Sequence, residues 1–354
     1  MRVAAVSLRT VHHERTAATT RFQSVLELLA DGGFDVHVLC ARWWPDERDV
    51  VAEAGITYHG VVPDRDAGRS FLWRLPVALR RLGPDVVHAA AHRPKQVTAA
   101  GWGTTLSRIP LVAEWPGSDG HGDPADYRKA ARRADAVVTP SRLVRTWARE
   151  RGADGDDVTV IPDPIDLDRI RSVDPASETD VVYSRRLDEG ANLESVLLAL
   201  AELRDRDWTA TVVGDGPHRE MYEEMVSDLR IEDRVTFVGP ADRDERIAIY
   251  RAGHVFAQTA EYCLFPTELA WALSCGCVGV VEYHVDSSGH ELVEGRERGF
   301  RTTSETELTD AIVSAGDLER RDFDDGFAEF DRREVREQYR GLYDRLREEC
   351  GLIG

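Results

Sequence analysis

Short apolar runs alternate with amphipathic stretches along the whole chain. In the first half, residues 3–8, 35–40, 86–89, 111–114, 136–139 and 159–161 read as strands. Between them, 20–30 places Phe22, Val25, Leu26 and Leu29 at helical spacing, and 141–151 reads as a helix with Ser141 as its cap and Gly152 as its stop. Ile161-Pro162-Asp163-Pro164-Ile165-Asp166 then interrupts the pattern. Two prolines this close forbid a helix, so a hinge is expected there, followed by a polar stretch through Ser177. The alternation restarts with strands over 180–184, 209–213, 235–238, 255–258 and 278–281 and helices over 218–229 and 244–252. The last stretch, 332–347, places Val335, Tyr339, Leu342, Tyr343 and Leu346 on one helical face. This order predicts parallel sheets covered by helices, an α/β chain of two doubly wound, Rossmann-like domains, with a ligand-binding cleft at the carboxyl ends of the strands.

Length and composition fit two such domains. The chain has 354 residues, 42% of them hydrophobic, and no apolar run reaches the roughly 18 residues of a membrane span. It runs from Met1 straight into a strand pattern with no leader-like segment, so a cytoplasmic location is expected. The five cysteines, Cys40, Cys263, Cys275, Cys277 and Cys350, are scattered and read as plain thiols, and no metal site is expected.

Charge adds more. There are 64 acidic against 45 basic residues, a net charge of −19, and only two lysines, Lys95 and Lys129. Dense carboxylates of this kind keep a protein hydrated in a high-salt cytoplasm. Residues 1–170 carry 23 basic and 23 acidic side chains, so the whole excess lies in the second half. An anionic partner on the first domain would account for the split. No nucleic acid is expected.

The second half carries the most specific motif. Thr211-Val212-Val213-Gly214-Asp215-Gly216-Pro217 is a strand ending in a tight glycine turn, and Ile231 to Gly239 follows as a second strand unit. The succession resembles the donor-binding domain of the retaining GT-B glycosyltransferases of glycosyltransferase family four. Pro84-Asp85-Val86-Val87-His88, Asp135-Ala136-Val137-Val138-Thr139-Pro140-Ser141 and the Pro162–Asp166 hinge resemble further family segments, in family order. The resemblance covers essentially the whole chain. It implies an acceptor-side domain over 1–165, a nucleotide-sugar domain over 166–330, and a helix at about 331–347 that crosses back to the first domain. It also implies retention at the anomeric carbon, with the nucleotide-sugar as co-substrate and no further cofactor.

The departures fall on the family's working residues. Of the arginine and lysine that hold the donor diphosphate, the arginine corresponds to Arg186, while Ala191 stands at the lysine position and Arg185 is a candidate substitute. Cys263 and Trp271 stand at the positions of the family's paired glutamates. Glu261 and Glu268, a few residues earlier, are carboxylate candidates if the loop is rebuilt. Gly214, Gly216, Phe265 and the helix start at Pro266-Thr267 are expected to face the donor, because free amides at a helix start favour phosphate. Trp271 either fills the core or stacks on the donor base. In the first domain, His12 in the segment Arg9 to Thr16 suits a general base or an acceptor phosphate, and Glu114 is a carboxylate candidate, with Asp119 and His121 nearby. Trp73, Arg80 and Arg81 lie in an apolar, basic stretch, 71–82, that suits either a membrane contact or an ordinary surface helix.

The function expected is sugar transfer from a nucleotide-sugar to a lipid-linked or cell-surface glycan, with peripheral contact at an anionic membrane as a further expectation. Two alternatives stay open: a degenerate GT-B protein that binds a partner or glycan without catalysis, and a sugar-nucleotide epimerase.

Overall fold

The apolar runs of the first half pair into one sheet because each is too short and too β-branched to bury itself any other way. In the computed structural model, which describes residues 1–117 and 123–351 apart from the Leu106 side chain, the chain divides into two units, Met1–Pro164 with Arg332–Gly354, and Ile165–Asp331. The first contains β1 (Arg2–Val6), α1 (Ala17–Asp31), β2 (Asp35–Ala41), β3 (Val50–Glu53), β4 (Ile56–Val62), α2 (Gly68–Leu82), β5 (Val86–Ala90), α3 (Pro94–Thr104), β6 (Leu111–Glu114), α4 (Pro124–Ala131), β7 (Ala136–Thr139), α5 (Arg142–Glu150) and β8 (Val158–Val160). The sheet order is β3-β4-β2-β1-β5-β6-β7-β8. All neighbours are parallel except β3 and β4.

That antiparallel hairpin was not expected. Ala54 and Gly55, at φ +49° and +76°, form its two-residue turn, a conformation whose twist matches paired strands. β3 is only four residues long and largely exposed, so its short apolar run is not a core strand. Ser141 caps α5 by accepting from the Val144 amide, as its sequence position implies.

The second unit contains α6 (Leu167–Ser172), β9 (Thr179–Ser184), α7 (Leu193–Glu202), β10 (Ala210–Val213), α8 (Arg219–Asp228), β11 (Val235–Gly239), α9 (Arg243–Ala252), β12 (Gly253–Gln258), β13 (Tyr262–Cys263), α10 (Thr267–Ser274), β14 (Val278–Glu282), β15 (Asp286–Ser287), β16 (Gly299–Thr302) and α11 (Glu305–Gly316). Its main sheet, β11-β10-β9-β12-β14-β16, is parallel throughout. The direction of winding reverses between β9 and β12. In open α/β sheets this is where the loops separate and ligands bind.

The division at Pro164 falls inside the expected hinge. The polar stretch after it is not all coil, however: Asp166 accepts from the Arg169 amide and starts α6 at once. α12 (Arg332–Glu349) belongs to the first unit. Its Val335, Tyr339, Leu342, Tyr343 and Leu346 are all buried in the core that α1, β1 and β2 share. Burying side chains of this size stabilises by about 1.5–3 kcal/mol each. The end of the chain therefore completes the first unit's core.

Candidate functional site

A cavity of about 590 Å³ opens at the carboxyl ends of β9, β10 and β12. Its walls include Ser184, Arg185 and Arg186 after β9, Gly214 and Asp215 after β10, Gln258 at the end of β12, and the stretch from Phe265 to Glu268 that starts α10. Two glycines bring the first two loops together. Gly214 has φ +135°, and a Cβ there would lie 2.0 Å from the Arg185 carbonyl oxygen. A Cβ on Gly216 would lie 2.2 Å from the Leu187 carbonyl oxygen. Only glycine permits this backbone-on-backbone approach.

The cavity wall is cationic. Arg185 is half-buried, donates from Nη2 to the Tyr262 carbonyl at 3.1 Å, and keeps a buried Nε with no partner among the described residues. Arg186 is exposed, with Asp188 3.7 Å away. Arg246, from α9, reaches the same wall.

Behind it lies a network that the sequence reading missed. Glu268 accepts from Arg243 at 2.9 and 3.2 Å and from Arg246 at 2.8 Å. The Tyr250 hydroxyl lies 2.6 Å from the same carboxylate and 2.7 Å from Ser184 Oγ. Burial pushes the Glu268 carboxyl up, but Arg243 and Arg246 outweigh it and hold it below its ordinary range. With both oxygens engaged, Glu268 is an anchor for arginines rather than a proton carrier. Among these residues only spacing was legible: Arg243 and Arg246 share a face of α9, but nothing in the sequence pairs them with Glu268.

Other expected residues land elsewhere. Trp271 is 6% exposed within the core, with the Arg243 guanidinium 4.7 Å from its ring centroid, so it backs the network instead of stacking in the cavity. Glu261 is exposed and is not part of the cavity wall, whereas Cys263 is. Ala191 is fully buried in the core under β9, its carbonyl accepting from the Tyr183 hydroxyl at 2.6 Å. Ala191 does not line the cavity, and a lysine there would have to bury part of its chain. α10 starts at Thr267, one residue earlier than a Thr267 cap implies, with Pro266 in the cap position.

In the first unit, Glu114 is 1% exposed and lies deep in the core. It accepts from Arg21 at 2.8 Å, from Tyr339 at 3.0 Å, and sits 3.0 Å from His88 Nε2. Arg21 also donates to the Ile161 carbonyl at 2.7 Å and pairs with Asp163. Burial raises the Glu114 carboxyl, but the Arg21 charge and the His88 contact outweigh it and hold it low. This is a structural tie between α1, β6, the hinge and α12, not an accessible acid. His12 stacks on Trp43 at 3.9 Å, edge-on to Tyr58, with Glu53 3.8 Å from its Nε2. Burial lowers its pKa below the ordinary histidine range, against the opposing pull of Glu53. Asp119 and His121 lie outside the described residues. On α2, Phe71, Leu75 and Leu79 are buried, while Trp73 is 80% and Val77 53% exposed beside exposed Arg80 and Arg81. Among the described residues no helix is long and apolar enough to cross a membrane.

Comparison with known proteins follows the same division. Residues 18–169 match the model of Glycosyltransferase Family 4, and residues 165–317 match that of Glycosyl transferases group 1. A 2-deoxystreptamine glucosyltransferase of Streptomyces kanamyceticus is 32% identical over 208 residues, 51% of this chain and 49% of that protein. A GDP-mannose-dependent alpha-(1-6)-phosphatidylinositol monomannoside mannosyltransferase of Mycolicibacterium smegmatis is 27% identical over 262 residues, 69% of this chain and 62% of that protein. The chain thus spans less than two thirds of the length of these relatives. Among solved structures, Anabaena HepE in complex with UDP and glucose superposes with a TM-score of 0.69 at 17% identity, over 97% of this chain and 99% of that one. A glycosyltransferase from Rickettsia africae superposes with a TM-score of 0.72 at 11% identity, over 98% of each.

Proposed function

The chain has the GT-B fold, and on that premise we propose that it is a glycosyltransferase whose second-unit cavity takes a nucleotide-sugar. The observation that carries the reading is the arginine-walled cavity at the switch point, between the glycine turn at Gly214 and the start of α10. Arg185, Arg186 and the first amides of α10 are the groups we assign to the donor diphosphate. There they would stabilise the charge that builds on the departing nucleoside diphosphate. The family resemblance supports retention at the anomeric carbon.

The acceptor we propose is a lipid-linked or cell-surface glycan, a reading in keeping with the phosphatidylinositol-modifying relative. Titration and turnover with a panel of UDP- and GDP-sugars, with lipid extract as acceptor source, test it. The expected result is binding, followed by acceptor-dependent release of nucleoside diphosphate. Binding without turnover would favour a degenerate protein. Donor conversion without acceptor would favour an epimerase, and no binding at all would overturn the donor assignment.

We assign the exposed face of α2 to an anionic membrane surface. Trp73 and Val77 project beside Arg74, Arg80 and Arg81, and Trp102 on the adjoining α3 is 61% exposed. The neutral first half and the −19 of the second fit the same orientation of charge. Basic residues near an anionic surface contribute about 1 kcal/mol each at ordinary ionic strength. In molar salt the Debye length shrinks to about 3 Å, so the tryptophans must then carry more of the binding. Co-sedimentation with phosphatidylserine liposomes is expected to fall severalfold for Trp73→Ala at any salt, and for the double variant Arg80→Glu, Arg81→Glu chiefly at low salt. Sedimentation unchanged by either variant would rule out this helix.

A further inference from the structure

We infer that Arg246 supplies the second cationic contact to the donor's terminal phosphate, the contact that the family resemblance assigns to a lysine at position 191. The inference rests on reading the cavity as the donor site. Position 191 itself is closed to this role, since Ala191 is fully buried in the core. The cavity wall nevertheless carries three guanidiniums, Arg185, Arg186 and Arg246.

Their commitments differ. Arg185 is held through Nη2 by the Tyr262 carbonyl, and Arg186 stands at the exposed rim next to Asp188. Arg246 is fixed at two points, Nε to the Ala241 carbonyl at 3.0 Å and Nη1 to Glu268 at 2.8 Å. Its Nη2 has no protein partner among the described residues. A guanidinium is a planar fork, so fixing two nitrogens fixes the direction of the third.

Charge supports the same assignment. Glu268 is shared between Arg243 and Arg246, and Arg243 spends both terminal nitrogens on it while lying over the Trp271 ring. Two guanidiniums against one carboxylate leave one net positive charge, the charge of the absent lysine. Trp271, Arg243 and Glu268 then have a common purpose: they hold Arg246 in place. Glu268 is accordingly a positioning residue.

Calorimetric titration with UDP and UMP, and with GDP and GMP, tests this on the full chain. A contact to the terminal phosphate is a charge-assisted hydrogen bond, so Arg246→Leu is expected to weaken diphosphate binding about ten- to a hundredfold while changing monophosphate binding little. Arg246→Lys keeps the charge and should fall between. Glu268→Gln should lower the diphosphate-to-monophosphate ratio by a smaller factor, a selective change that mere loss of packing would not produce. Melting curves identify any variant that fails to fold, and Arg246→Lys, the milder change, then decides alone. Equal weakening for mono- and diphosphates, or an unchanged ratio in Arg246→Lys and Arg246→Leu alike, would overturn the inference. If the unaltered protein binds none of the four nucleotides, the donor reading itself fails.

Discussion

Glu114→Ala is expected to cost the first unit about 3–5 kcal/mol, a large share of the roughly 5–15 kcal/mol that holds a domain folded. The loss is not that of one ion pair. The substitution removes the carboxylate from Arg21, which is 6% exposed, and leaves the hydroxyl of Tyr339 and one nitrogen of His88 without it in the core. It also loosens the link through which Arg21 holds the Ile161 carbonyl and Asp163 at the hinge. Replacing both partners, as in Arg21→Met with Glu114→Leu, should cost less than the single change, because the charges inside the core go together and only the partly exposed Asp163 loses its partner.

The same group predicts a pH dependence. The folded carboxyl lies below its ordinary 4.5, so its contribution is complete above about pH 4.5 and is lost as the pH falls through the folded value. Calorimetric unfolding of the intact chain should therefore show a midpoint that drops more steeply below pH 4.5 in the unaltered protein than in Glu114→Gln. A Glu114→Ala variant that melts normally but no longer turns over substrate would restore Glu114 as a catalytic acid and contradict the structural role.

Much of the architecture is legible in the sequence because burial in parallel sheets leaves a strong signature. Val36, Val38 and Cys40 of β2, or Val280 and Val281 of β14, have no other way to leave water. The α12 face could be read from spacing alone, since Val335, Tyr339, Leu342, Tyr343 and Leu346 recur with the helical period. β3, β4 and β16 escaped: β3 and β16 are four-residue edge strands, and Thr57, His59 and Gly60 interrupt the apolar run of β4.

The site was legible in part. Glycine turns report backbone geometry, and the Gly214–Gly216 turn follows β10 directly, with Gly214 on the cavity wall. Side-chain partners are set by contacts far apart in sequence. Glu268 is 22 residues from Arg246, and Glu114 is 93 from Arg21 and 225 from Tyr339. Local pattern carries no trace of such pairs, which is why Glu114 and Glu268 read as carboxylate candidates and why Trp271 stayed open between core and donor base.

Gly214→Ala carries the second large effect. The added methyl would meet the Arg185 carbonyl oxygen at 2.0 Å, at a φ of +135° that alanine rarely adopts. Backbone strain of this kind costs about 1–3 kcal/mol, and the clash must also push the Arg185–Arg186 loop away from the cavity. The proposed donor site depends on that loop, so calorimetric titration of UDP and GDP into the unaltered protein, Gly214→Ala, Arg186→Ala and Arg206→Ala tests the central claim most directly. Arg206 is an exposed turn residue in the same unit and is not part of the cavity wall. The account predicts nucleotide binding by the unaltered protein and by Arg206→Ala alike. It predicts binding about tenfold or more weaker in Arg186→Ala, and lost in Gly214→Ala, while the second unit stays folded. Equal affinities across all four proteins would place the nucleotide elsewhere and contradict it.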